Sequence, residues 1–148
     1  MDNAAQQLIE QARQVREFLE REGCLMTDLL GDFPRGGCGN GSDLLGQWLA
    51  KHGVAPIAYV WGSRGGKTHG WLEHGGLVID ITSDQFADGV GAVYVGAPTS
   101  FHASFADQRR STPEVSPLLF DVYRRMSERL AASQLRVAHR TAASRNKG

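Results

Sequence analysis

Cysteine is scarce: Cys24 and Cys38 are the only two in 148 residues. A disulfide-dense scaffold is excluded, since such scaffolds pair several cysteines in a short chain. Charge of one sign is missing too, because 16 Lys and Arg balance 16 Asp and Glu. A protein that coats nucleic acid needs a positive footprint to displace counterions, and none is expected here. No apolar run approaches the roughly 20 residues that span a bilayer. The opening residues, MDNAAQQLIEQARQVREFLEREG, are charged throughout and lack the apolar segment of a secretory signal. There is no internal repeat. The expectation is a reduced, cytoplasmic protein without membrane or nucleic-acid partners, and a signal-independent export route, as for an effector, stays open.

Glycine is abundant, at 18 residues, well above the roughly 7% that is usual. Without a collagen-like period, these glycines serve turns and close backbone approaches. The length suits one domain, taken as residues 1–133, with a basic, disordered tail over 134–148.

Apolar positions at spacings of three and four predict a helix over 3–22. Ala5, Leu8, Ile9, Ala12, Val15, Phe18 and Leu19 share a face, and Gly23 ends it. That stripe suits the core or a dimer equally, so the oligomeric state is not legible. A glycine-rich loop follows over 24–41. A second helix is predicted over Ser42–His52, burying Leu44, Leu45, Trp48 and Leu49. The period then changes to two. Strands are predicted at Pro56–Trp61, Thr68–Glu73, Leu77–Thr82 and Val90–Gly96, then a polar surface segment over 97–113. A last helix over Val115–Ala132 places Leu118, Val122, Met126 and Leu130 on one face. Helices segregated from strands define an α+β fold, with a nucleophile-bearing helix on a small antiparallel sheet and helices at both ends.

Cys38 stands just before the second helix, in PRGGCGNGS. A thiol at a helix N-terminus is acidified by the dipole and by unpaired N–H groups, which can also receive a developing oxyanion. By itself such a cysteine reads as a small buried residue. The hairpin that follows supplies partners. If its turn centres between His74 and Gly75, His69 lies directly opposite Asp80, close enough to orient the imidazole. If the turn centres one residue later, His69 faces Thr82 and Asp80 is diagonal to it. Cys38 as nucleophile, His69 as general base and Asp80 as orienter then form a candidate triad.

A cysteine opening a helix, a strand starting with His, and a strand carrying Asp together resemble the papain-like cysteine hydrolase superfamily. The transglutaminase-like branch is the nearest in pattern. The matching pieces are Cys38 before LLGQWL, His69-Gly70-Trp71-Leu72-Glu73, and Val78-Ile79-Asp80-Ile81-Thr82. Arg35-Gly36-Gly37-Cys38 is also similar to the Arg-Gly-Gly-x-Cys motif of arylamine N-acetyltransferases, without its intervening residue. The resemblance implies acyl transfer through a thioester: a protease, an amidase or deamidase, or a transglutaminase-type enzyme acting on a protein, peptide or small amide. Papain-like peptidases often place a Gln upstream as oxyanion donor. Here only Gln6, Gln7, Gln11 and Gln14 precede Cys38, all in the first helix. The oxyanion hole is therefore expected from backbone N–H groups or a side chain such as Asn40. A catalytically silent binding domain on the same fold is the alternative.

Trp71 shares a face with His69 and either shields it, contacts substrate or belongs to the core. Gln85 and Phe86 are expected near the site, His102 at the surface or lining a cleft, and Cys24 in a structural role. No cofactor or metal is expected. His69 and His74 fall on opposite faces of a strand, and no Cys-x-x-Cys exists. The GSRGGK stretch at 62–67 lacks the spacing of a phosphate loop. Substrate choice is assigned to loops 24–37, 62–67 and 84–102.

Overall fold

The computed structural model describes residues 3–145. The protein is α+β: a five-stranded antiparallel sheet with helices at both ends of the chain. Helix α1 (Asn3–Phe18) runs on through a π-helical turn (Leu19–Gly23) into a short α2 (Cys24–Met26). Gly23 is thus not the terminator that the sequence predicts. It keeps a right-handed helical φ of −56°, and a Cβ there would press on Leu19 at 3.0 Å. Helix α3 (Cys38–Lys51) starts four residues before the expected Ser42. Gly39 and Gly41 are poor helix formers, which hides that first turn from a propensity reading.

Strands β1 (Ala58–Arg64), β2 (Lys67–His74) and β3 (Leu77–Asp80) form consecutive hairpins, and β4 (Tyr94–Gly96) lies on the outer side of β3. A one-turn helix α4 (Ser100–Ala103) leads to β5 (Ala106–Ser111), which closes the sheet beside β1. The segment 97–113 is therefore not a plain surface segment. Every β5 side chain is exposed, so no alternation marks it as a strand. Its charged residues suit a sheet edge. Helix α5 (Phe120–Arg145) follows a 3-10 turn (Pro117–Leu119). Leu119, not Leu118, joins Val122, Met126 and Leu130 in the core, and Leu118 is exposed. The helix also continues through Arg145, where a disordered tail is expected. The run from Leu118 to Arg145 has neither Gly nor Pro to stop it. Residues 146–148 of that tail lie outside the described residues.

The sheet buries both faces. Leu72, Ile79 and the partly buried Tyr59 face a core built with α1, α3 and α5. Val60, Trp71 and Val78 face a smaller one with Phe101 and Phe105. The stripes expected on the first two helices are largely buried, and Leu44, Leu45, Trp48 and Leu49 all lie in the main core. No helix among the described residues is long and apolar enough to cross a membrane.

Candidate functional site

The β2–β3 turn decides how the site is assembled. Gly75 and Gly76 have φ of +55° and +79°, the paired left-handed geometry of a two-residue hairpin turn. The register is His74↔Leu77, Glu73↔Val78 and Leu72↔Ile79. This is the later of the two centres weighed above, which sets Asp80 diagonal to His69. The long imidazole spans the diagonal. His69 Nε2 lies 2.7 Å from Asp80 Oδ2, and both side chains are fully buried. Asp80 Oδ1 accepts from the Thr82 N–H at 2.9 Å, which fixes the carboxylate's rotation.

With Nε2–H given to Asp80, Nδ1 is the nitrogen left for Cys38. The Gln85 side-chain amide lies 3.4 Å from Nδ1. Cys38 is the first residue of α3, and its thiol is partly buried. Gly37 offers no side-chain cap, so first-turn N–H groups remain for other acceptors. Burial pushes the Cys38 thiol up. A hydrogen bond and charge from His69, with the N–H groups of Gly70 and Gly39, outweigh that and hold it below the ordinary thiol value. Burial would lower His69. Hydrogen bonds and charge from Asp80 and Cys38 prevail and raise it to about 9. Burial would raise Asp80, but His102, His69 and the Thr82 N–H keep it below the usual carboxylate range. The shifts share one sense, favouring a thiolate–imidazolium pair backed by a carboxylate.

His102 corrects the sequence reading. It is not at the surface but only 3% exposed, and its Nε2 reaches Asp80 Oδ2 at 2.7 Å. Its Nδ1 accepts from the Thr99 hydroxyl at 2.7 Å, and Thr99 caps α4. Asp80 is thus held by two imidazoles and one backbone N–H. Trp71 is 1% exposed, which places it in the core behind His69 and out of reach of solvent. Its ring centroid is 5.6 Å from that of His69, and its Nε1–H donates to Glu73 Oε2 at 3.0 Å. Phe86 meets the imidazole edge-on at 5.2 Å, and Phe101 and Phe105 complete an apolar wall. This wall limits the water around the His69–Asp80 bond.

Arg16 is a further contributor that the sequence does not reveal. It is buried, donates to the Ile81 carbonyl at 2.7 Å, and forks onto both Asp84 carboxylate oxygens at 2.8 Å. It thereby ties α1 to the segment between Asp80 and Gln85. Asn40 is half-buried in the first turn of α3. Cys24 donates to the Glu20 carbonyl at 2.9 Å, a helix-internal bond. His74 bonds the Pro56 carbonyl and takes no part in the cluster.

His69, Asp80 and His102 offer three ligand atoms within 4.8 Å of one another, a donor set that a metal could use. Both imidazole Nε2 atoms, however, already bond the same carboxylate oxygen. An ion there would have to displace both bonds. Two grooves flank the cluster. One, of about 560 Å³, is lined by Asp32, Phe33, Pro34, Arg35, Asp84 and Gln85. The other, of about 470 Å³, is lined by Asp43, Tyr59, Trp61, Ser111, Thr112 and Glu114. Of the expected loops, residues 32–35 and 84–85 line the first groove, while α3, β1 and the 111–114 segment line the second.

Compared with protein-family models, with curated proteins and with solved structures, the chain matches none.

Proposed function

We propose that this protein is a cysteine-dependent acyl-transfer enzyme of the papain-like, transglutaminase-like kind, working through a thioester on Cys38. The observation that carries the reading is one alignment. A thiol at a helix N-terminus meets an imidazole whose far nitrogen is bonded to a buried carboxylate. The order of nucleophile helix, His strand and Asp strand on an antiparallel sheet supports the same reading.

In this proposal the Cys38 thiolate adds to an amide or ester carbonyl. The His69 imidazolium protonates the departing amine from Nδ1, and Asp80 keeps the ring oriented throughout. Water or an amine then resolves the thioester, with His69 as base. Protein, peptide and small amide substrates all fit this scheme. A cytoplasmic setting, which keeps thiols reduced, suits it.

The test is acylation of the full chain by p-nitrophenyl acetate, read by peptide mass spectrometry. The expected result is an acetyl thioester on Cys38 that is absent in Cys38→Ser and strongly reduced in His69→Ala. Acetylation of Cys38 no faster than that of Cys24 would sink the proposal and favour a silent binding domain.

A further inference from the structure

Tyr59 is half-buried on β1, its ring stacked on Trp61 at 5.2 Å. Its hydroxyl reaches into the space that two glycines leave open. A Cβ on Gly70 would lie 2.3 Å from the Tyr59 hydroxyl oxygen, and one on Gly39 would lie 3.3 Å from it. Gly39 follows Cys38 in the chain, and Gly70 follows His69. The phenol oxygen is therefore lodged between the residue beside the nucleophile and the residue beside the base. Among the described residues, that hydroxyl has no hydrogen-bond partner. Tyr59 also lines the groove of about 470 Å³. A hydroxyl without a protein partner beside a nucleophile is available to a reacting group.

Resting on the acyl-transfer reading, we propose that the Tyr59 hydroxyl is a catalytic residue, an oxyanion donor to the tetrahedral intermediate formed on Cys38. The sulfur–carbon bond forms as the carbonyl π pair moves onto oxygen. That oxyanion accepts a hydrogen bond from the Tyr59 O–H, which keeps its proton. When the pair returns, the bond to the leaving group breaks. A nitrophenolate departs with its electrons, and an amine departs after taking the proton from His69. Burial, with the nearby charges of Cys38 and Asp43, holds the phenol above its ordinary value, so it remains a donor wherever the thiolate exists. The role fills the place for which no upstream Gln is present. The glycines at 39 and 70 become the spaces that let the hydroxyl in.

Two reagents separate this proposal from the one it rests on. p-Nitrophenyl acetate acetylates Cys38 through an oxyanion, whereas iodoacetamide alkylates it by displacement at a saturated carbon, with no oxyanion. Both rate constants are read at Cys38 by mass spectrometry in the full chain, for wild type and Tyr59→Phe. The ratio of acetylation to alkylation should fall at least about tenfold in Tyr59→Phe, since removing one oxyanion donor costs about 10²–10³ in rate in a well-studied protease. Both rates are compared at a temperature where urea denaturation shows Tyr59→Phe to be folded, and Cys24 supplies the free-thiol ratio for reference. An unchanged ratio overturns the Tyr59 assignment and leaves the acyl-transfer reading standing. Alkylation without any acetylation in the wild type overturns both.

Discussion

Asp80 is the hub on which His69, His102 and the Thr82 N–H converge, and Asp80→Asn measures its weight. The carboxylate is 1% exposed and accepts from His69 and His102 at 2.7 Å each and from the Thr82 N–H at 2.9 Å. An amide of the same shape has one acceptor oxygen. If that oxygen stays on Thr82, its NH₂ confronts two imidazole N–H groups. If it turns to the histidines, the NH₂ confronts the backbone donor. Either way at least one buried donor is orphaned, at about 1–3 kcal/mol each, and a buried charge pair is broken. Breaking such pairs costs about 3–5 kcal/mol. The expected loss is therefore about 3 kcal/mol. At about 2–4 °C per kcal/mol for a domain of this size, the melting midpoint should fall by about 10 °C. Urea denaturation followed by tryptophan fluorescence gives the free energy directly. His69 should also lose most of its upward shift, since Asp80 is its main stabilising partner. A loss below about 1 kcal/mol would refute the reasoning, because a carboxylate with three satisfied donors cannot be replaced that cheaply.

Arg16→Met should cost about 2 kcal/mol in the same urea assay, since the Ile81 carbonyl loses a buried charged donor. It should also slow Cys38 acylation by loosening the segment that carries Gln85. Gly76→Ala should cost about 1–2 kcal/mol from backbone strain alone, because φ is +79° and no atom lies within 4 Å of the added methyl. Amide exchange in β2 and β3 would report it, and no change there would contradict the turn assignment. His69 binds its proton more tightly when folded, with a value of about 9. Its stabilising contribution is thus complete below about pH 6.5 and is lost as pH rises through about 9, by up to about 1.4 kcal/mol per unit. In a Cys38→Ser background, which removes the opposing titration of the lowered thiol, urea midpoints from neutral to alkaline pH should fall more steeply with His69 than with His69→Gln, and parallel curves would refute the shift.

The candidate triad is legible in the sequence because its residues sit beside strong local signals. Cys38 lies in a glycine-rich helix entrance, and His69 and Asp80 lie on two alternating strands joined by a short turn. The register between those strands is not legible from alternation, which fits either centre. It depends on the positive φ of both Gly75 and Gly76. His102 escapes because it belongs to a single helical turn, too short to show a period, beside a strand whose side chains are all exposed. Arg16 escapes for a different reason. On an amphipathic helix it reads as solvent-facing, and its partners Ile81 and Asp84 lie more than sixty residues away. Tyr59 reads only as a strand residue, since its hydroxyl acquires meaning from two glycines on other elements.

The most direct test of the central claim is the rate of Cys38 alkylation by iodoacetamide from pH 5 to 9, read site by site, in wild type and His69→Ala. The account predicts that wild-type Cys38 reacts well below the free-thiol value of about 8.5, and that His69→Ala abolishes this low-pH reactivity. A Cys38 that titrates like a free thiol, indifferent to His69, would contradict it.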